Sequence, residues 1–162
     1  MDLNNRLKNL IAILKKNKIK VAVAESCTGG LISYNLTKIP GASKYFMLGV
    51  VAYSNKSKTY FLGIKQKTLI KYGAVSAETS KEMCKNLQKI SKTNIAISIT
   101  GIAGPAGGTK KKPVGLVYIG ICSKKKIEIA KFNFNKKLSR INIQNQVLVE
   151  TIKLMENHIT IL

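Results

Sequence analysis

The sequence predicts an α/β domain: a three-layer α/β/α sandwich around a mixed, partly parallel sheet. Three observations carry this expectation. Helical and strand patterns alternate through the first two thirds of the chain, as they do where crossover helices join parallel strands. The run Val21-Ala-Val-Ala24 is apolar without alternation, as a strand covered on both faces is. Two strand patterns then flank Lys124-Lys125 as a hairpin, ahead of one long final helix. With 162 residues, 45% of them hydrophobic, residues 1–162 suffice for one domain with a packed core.

Residues 3–17 read as an amphipathic helix, because Leu3, Leu7, Leu10, Ile11 and Leu14 recur on one face with Lys and Asn between them. This stretch has no small-residue cleavage site, and no apolar run is long enough to span a bilayer. A cytoplasmic protein with no membrane partner is the expectation. Strand 19–24 follows, then a turn and a helix over 29–38 that starts near Gly29. Pro40-Gly41 interrupt the chain in a loop over 39–44, and strand 46–53 runs into short helices at 56–62 and 66–72. Ser76, with Thr79 three positions on, caps a helix over 77–91. Strand 94–100 opens into a Gly/Pro loop over 101–113. Strands 114–122 and 126–134 form the hairpin, and a helix over 139–157 closes the chain.

The chain carries 28 Lys and Arg against 7 Asp and Glu, a net charge of +21. Such a balance ordinarily points to nucleic acid. Here the basic residues are 26 Lys and only two Arg, Arg6 and Arg140. Lys, Ile and Asn are all abundant, and they are the amino acids of A/T-rich codons. The lysines are spread along the whole chain, with short clusters at Lys110–Lys112 and Lys124–Lys126 and no aromatic RNA-binding motif among them. A solvated basic surface, without a specific nucleic-acid partner, is the expectation. Asp2 is the only Asp and His158 the only His, which removes a Ser-His-Asp triad, a His-rich metal site and an aspartate pair from consideration. Cys27, Cys84 and Cys122 are odd in number and scattered, forming neither a disulfide framework nor a zinc pattern. No metal and no cofactor are expected.

The chemistry left must rest on Ser, Thr, Cys, Lys, Tyr and a few Glu, and three segments concentrate these. Glu25-Ser-Cys-Thr-Gly-Gly30 follows the first strand and opens a helix, whose first amides lack intrahelical partners and carry the positive end of the dipole. Such a turn is a ready anion site, although, for this turn taken alone, Ser26 or Thr28 acting as a simple helix cap is the favoured reading. Ser98-Ile-Thr-Gly101 leads into a second Gly-rich turn, again at a strand's C-terminal end. Tyr53-Ser-Asn-Lys-Ser-Lys58 starts a helix after a third strand. Ligands of open α/β sheets bind beyond those strand ends, so parallel strands would bring Ser26, Tyr53, Lys58 and Thr100 to one rim.

These segments resemble the CinA C-terminal domain family, the nicotinamide-nucleotide amidohydrolases. The matching residues are Ala24-Glu-Ser-Cys-Thr-Gly-Gly30, Pro40-Gly-Ala-Ser43, Gly49-Val-Val-Ala-Tyr-Ser-Asn55 with Lys58, Gly73-Ala-Val-Ser76, and Ser98-Ile-Thr-Gly-Ile-Ala-Gly-Pro105 with Gly107-Gly108 and Lys112-Pro-Val-Gly115. Together they cover residues 20–120 in order. The resemblance implies hydrolysis of the carboxamide of nicotinamide mononucleotide to nicotinate mononucleotide and ammonia, without a metal, by a serine with a lysine base. The N-terminal domain of full-length CinA proteins has no counterpart in these residues, so the likeness is to the stand-alone form. The family usually has a Gly-Asp-Arg element before the last helix. Here Lys137-Leu-Ser-Arg140 keeps only the arginine. In a chain that otherwise uses Lys, Arg140 suggests a need for the planar guanidinium fork, against the plainer reading of a residue at a helix start.

Ser26 and Ser43 both lie in matching motifs. Strand 46–53 would span roughly 25 Å, with Ser43 before it and Lys58 after it, so these two fall at opposite ends within one subunit. Ser26 and Lys58 both follow strands expected to run parallel, which favours Ser26 as nucleophile. Ser43 would need a curled strand or a partner subunit, and a homo-oligomer is expected. Cys27 is a third candidate with no evident histidine to activate it. Burial, neighbouring cations and a helix N-terminus would lower the pKa of Lys58. The amides around Thr28, Gly29 and Gly30 are candidate oxyanion donors. Tyr53 is placed to stack on a pyridinium ring or hydrogen-bond the dyad, and Thr100 to orient Lys58 or the carboxamide. Amides of Gly101 to Gly104, with Arg140, are candidates for the substrate phosphate. Glu25 would accept from the substrate or pair with a lysine. Two other functions compete with the amidohydrolase: a nucleotide-binding module whose catalysis has decayed, and a basic nucleic-acid-binding protein.

Overall fold

The computed structural model describes residues 2–160. In chain order its elements are α1 (Leu3–Lys16), β1 (Val21–Glu25), α2 (Leu31–Thr37), β2 (Phe46–Val51), α3 (Asn55–Leu62), α4 (Gln66–Tyr72), α5 (Ala77–Ser91), β3 (Ile95–Gly101), β4 (Leu116–Cys122), β5 (Ile127–Asn133) and α6 (Arg140–Ile159). A single 3₁₀ turn, Ala42–Lys44, precedes β2. The strands form one sheet in the order β2-β1-β3-β4-β5. β1 runs parallel to both β2 and β3, whereas β4 and β5 are antiparallel additions. The expected mixed sheet and its hairpin are both present.

The two faces of the sheet are packed differently, and the sequence of β1 shows why. Val21 and Val23 point to one face, where Leu7, Leu10 and Leu14 of α1, Ile32 and Leu36 of α2, and Ile143, Val147 and Ile152 of α6 fill the space with Ile95, Ile97 and Ile99. Ala22 and Ala24 point to the other, where α5 brings Met83, Cys84 and Leu87 and the α3–α4 region brings Leu62 and Ile64. Branched residues on one side and small ones on the other let α5 approach the sheet closely. A Cβ on Gly120 of β4 would lie 2.5 Å from Ser98 Oγ and 2.9 Å from Ser80 Oγ, so only glycine fits where α5 crosses. Both faces being covered, β1 is buried at every position.

Caps account for the helix starts. Ser76 Oγ accepts from the Thr79 amide, as its spacing predicts, and Ser139 caps α6 through the Asn142 amide. Ser54 and Ser57 form a reciprocal capping box at the start of α3. The helix expected from Gly29 begins at Leu31 instead. Gly29 and Gly30 have φ of 61° and 102°, a left-handed turn that glycine adopts without strain and that cannot be the first turn of a helix.

Candidate functional site

The carboxyl ends of the three parallel strands lie side by side, and the segments leaving them enclose a cavity of about 230 Å³. Ser26 and Cys27 come from the turn after β1, Tyr53 from the three-residue link after β2, and Thr100 and Gly101 from the end of β3. Lys58 enters from α3, and Arg140 from the first turn of α6. Ala74, Val75, Ile102, Ala103, Gly104, Ala106 and Gly107 complete the walls, and among the described residues no carboxylate lines them. This is the crevice beyond the carboxyl ends of parallel strands that open sheets offer to ligands, with β2 and β3 on either side of β1.

Lys58 is 2% exposed, and its Nζ lies 2.9 Å from Ser26 Oγ and 2.8 Å from the Ala52 carbonyl. The capping box at Ser54 starts α3 so that its first turn presents Lys58 inward. Burial pushes the Lys58 pKa below its ordinary 10.5, while the neighbouring Cys27 works in the opposite direction. A neutral lysine has two hydrogens and one lone pair. With one hydrogen held by the Ala52 carbonyl, the lone pair is free to accept from the Ser26 hydroxyl. Cys27 is buried, and its pKa is pushed up to about 12, chiefly by burial. It is a thiol at neutral pH, so the third nucleophile candidate is unactivated.

Arg140 uses its planar fork. Its Nη1 donates to the Gly104 carbonyl at 2.9 Å and its Nη2 to the Tyr53 hydroxyl at 2.7 Å. Tyr53 is 60% exposed, so this bridge forms an open rim. Thr100 Oγ1 donates to the Ala74 carbonyl at 2.7 Å and holds the Gly73–Ser76 loop against the cavity, rather than touching Lys58. Around Gly104 the chain offers free donors. Among the described residues, the amides of Ala103, Gly104, Ala106 and Gly107 have no acceptor.

Five expected residues lie elsewhere. Glu25 is fully buried and neither faces the cavity nor pairs with a lysine. Its carboxylate accepts from the amides of Gly30, Ile32 and Ser33 and from Ser33 Oγ, at 2.7–3.1 Å. It satisfies the orphan donors of α2, which a glycine N-cap cannot. The oxyanion role for Thr28, Gly29 and Gly30 falls with it. The Gly29 amide is committed to the Ser26 carbonyl and the Gly30 amide to Glu25. Thr28 is buried with Oγ1 unpartnered among the described residues, and it does not line the cavity. Ser43 sits exposed in the 3₁₀ turn at the opposite end of β2 from Tyr53, a strand's length away. Gly101 does line the cavity, but packing explains its lack of a side chain. A Cβ there would lie 2.6 Å from Val117 Cγ2 and 2.8 Å from the Leu116 carbonyl.

The sequence alone marks no role for Ala74, Val75 or Gln144, although Ala74 and Val75 lie within the Gly73-Ala-Val-Ser76 motif. Gln144 Nε2 donates to the Cys27 carbonyl at 2.8 Å. Its only local signal is a spacing of four from Arg140 on one helix.

Fold and site together define a class: mixed α/β proteins that set a buried lysine against a serine hydroxyl at the carboxyl ends of parallel strands. The particular family follows from comparison. Residues 4–159 match the model of the CinA C-terminal domain, and the chain belongs to that family. It is 58% identical over 123 residues to a CinA-like protein of Endomicrobium trichonymphae, an alignment covering 76% of this chain and 29% of that relative. The chain thus spans under a third of that relative's length. Among solved structures, it is similar to the competence/damage inducible protein CihA from Agrobacterium tumefaciens, with a TM-score of 0.88 and 33% identity over 99% of this chain and 98% of that one. A CinA superfamily protein from Klebsiella pneumoniae superimposes over the whole of both chains with a TM-score of 0.94 at 24% identity, a likeness of fold. No helix among the described residues is long and apolar enough to cross a membrane.

Proposed function

We propose that this protein is an amidohydrolase that converts nicotinamide mononucleotide to nicotinate mononucleotide and ammonia, with Ser26 as nucleophile and Lys58 as its base. The observation that carries the reading is the 2.9 Å approach of Lys58 Nζ to Ser26 Oγ, made by a buried amine whose pKa burial lowers. The substrate class comes from the family resemblance of residues 20–120. A cavity with one arginine, free amides and no carboxylate is consistent with an anionic ligand.

Neutral Lys58 takes the Ser26 proton as Oγ attacks the carboxamide carbon. The resulting oxyanion needs donors already in place. Among the cavity-lining amides without a backbone acceptor, those of Cys27 and Ala103 are available to it. Collapse breaks the C–N bond as Lys58 returns the proton to the departing nitrogen, giving ammonia and an acyl ester on Ser26. Water, deprotonated by Lys58, hydrolyses the ester to the carboxylate and restores the Ser26 hydroxyl. Arg140 and the amides of Gly104, Ala106 and Gly107 take the phosphate, and the exposed ring of Tyr53 faces the cationic pyridinium.

The test is ammonia release from nicotinamide mononucleotide by the purified protein, with Ser26→Ala as control. Release lost in that variant supports the reading. A parent protein that binds the nucleotide and releases no ammonia would instead be a binding module.

A further inference from the structure

The turn carrying Ser26 is bonded almost wholly to itself. Gly29 N–H donates to the Ser26 carbonyl at 3.0 Å and Leu31 N–H to the Thr28 carbonyl at 3.1 Å. Glu25 closes the same segment from behind through the amides of Gly30, Ile32 and Ser33. Among the described residues, one hydrogen bond to the backbone of residues 26–30 comes from a distant part of the chain. It is the 2.8 Å bond from Gln144 Nε2 to the Cys27 carbonyl, next to the Ser26 peptide.

Gln144 lies one turn beyond Arg140 on α6, so the two project from the same helix face. Arg140 reaches Gly104 after β3 and Tyr53 after β2, while Gln144 reaches Cys27 after β1. The first turns of α6 therefore bond to the segments leaving all three parallel strands. Ile143 and Val147, buried in the core between these contacts, fix the helix that supplies them.

We propose that Gln144 is a positioning residue, holding the Ser26 turn at the distance from which Lys58 activates the hydroxyl. The proposal rests on the Ser26–Lys58 reading above. Removing the donor leaves the Cys27 carbonyl unpaired, and the backbone of the turn is then bonded only within the local segment 25–34, with Ser26 Oγ still meeting Lys58. A reactive group displaced by about 1 Å loses as much as about 100-fold in rate.

The test compares Gln144→Met, which keeps the length of the stem and removes the donor, with Gln144→Lys, which restores a donor of similar reach. Three quantities are read on each folded variant: the rate at which a fluorophosphonate phosphonylates Ser26 with loss of fluoride, kcat and KM for ammonia release, and Tm. For Gln144→Met, the phosphonylation rate and kcat should fall about 10- to 100-fold, with KM within about 2-fold of the parent and Tm within a few degrees. Gln144→Lys should recover most of both rates. A role confined to packing would be served by methionine and would not separate kcat from KM. Gln144→Met reacting and turning over within about 2-fold of the parent overturns the proposal. A parent that is phosphonylated at Ser26 but releases no ammonia refutes the substrate reading alone, and the phosphonylation rates then decide the role of Gln144. A parent that is not phosphonylated at all overturns both.

Discussion

Replacing Lys58 with methionine separates the catalytic reading from a structural one. Lys58 is 2% exposed and has two polar neighbours, Ser26 Oγ and the Ala52 carbonyl. Methionine has nearly the same length and no charge to desolvate. Exchanging a buried polar group for an apolar one of similar volume removes its desolvation penalty, worth about 1–3 kcal/mol. Against this, the Ala52 carbonyl loses its donor, at a cost of about 1–3 kcal/mol. The two terms nearly cancel, so Lys58→Met should fold with a Tm close to the parent's. Activity should fall by about 10²- to 10⁴-fold, the usual contribution of a general base, equivalent to about 3–5 kcal/mol in barrier height. The assay is single-turnover ammonia release alongside thermal unfolding. Ser26→Ala/Lys58→Met should be little worse than either single variant, because residues acting as a unit are not additive. In the parent, the rate should rise with pH through the Lys58 pKa, which lies below 10.5, since only the neutral amine accepts a proton. Stability moves the same way. Between the lowered native value and 10.5 the unfolded chain binds more protons, so the parent gains stability relative to Lys58→Met as pH rises through that window. Activity within 10-fold of the parent in Lys58→Met, or additive losses in the double variant, would refute the dyad.

Glu25→Ala should destabilise the fold by about 2–4 kcal/mol, read as a shift in the urea midpoint, because three amides of α2 and the Ser33 hydroxyl lose their acceptor; an unchanged midpoint would contradict the capping role. Ser43→Ala should turn over at nearly the parent rate, and a dead but folded Ser43→Ala would mean that the site is shared between subunits. His158 is buried against Ser123 Oγ at 3.0 Å, and burial lowers its pKa from 6.5. Its contribution is therefore complete above pH 6.5 and is lost as pH falls through the window below, so denaturation at pH 7.5 and pH 5 should show the parent losing more stability than His158→Gln. The basic surface should bind duplex DNA weakly, without sequence preference and with steep salt dependence in a titration, and tight binding to one sequence at physiological salt would overturn that expectation.

Local patterns in the sequence were enough to specify most of the framework. Val21-Ala-Val-Ala24 requires a strand covered on both faces, and Ser76 with Thr79 marks where α5 begins. The Gly-rich turns after two strands and the polar run after a third locate the rim of the sheet, because these signals are short-range and depend on backbone geometry and side-chain period. The pairing of Ser26 with Lys58 follows once those strands run parallel. What each residue does at the rim depended on neighbours that chain order does not reveal. Glu25, Thr28 and Gly30 stand in the same turn as Ser26, yet Glu25 turns back onto the amides of α2 while Ser26 faces the cavity. The chain reversal through left-handed Gly29 and Gly30 decides between them. Gly101 is glycine because β4 packs against it, which only the register of Gly101 opposite Val117 reveals. Gln144 meets Cys27 from 117 residues away. Hydrogen-bond satisfaction and close packing are properties of the whole assembled core, and they assign the roles that the periodicity of the chain leaves open.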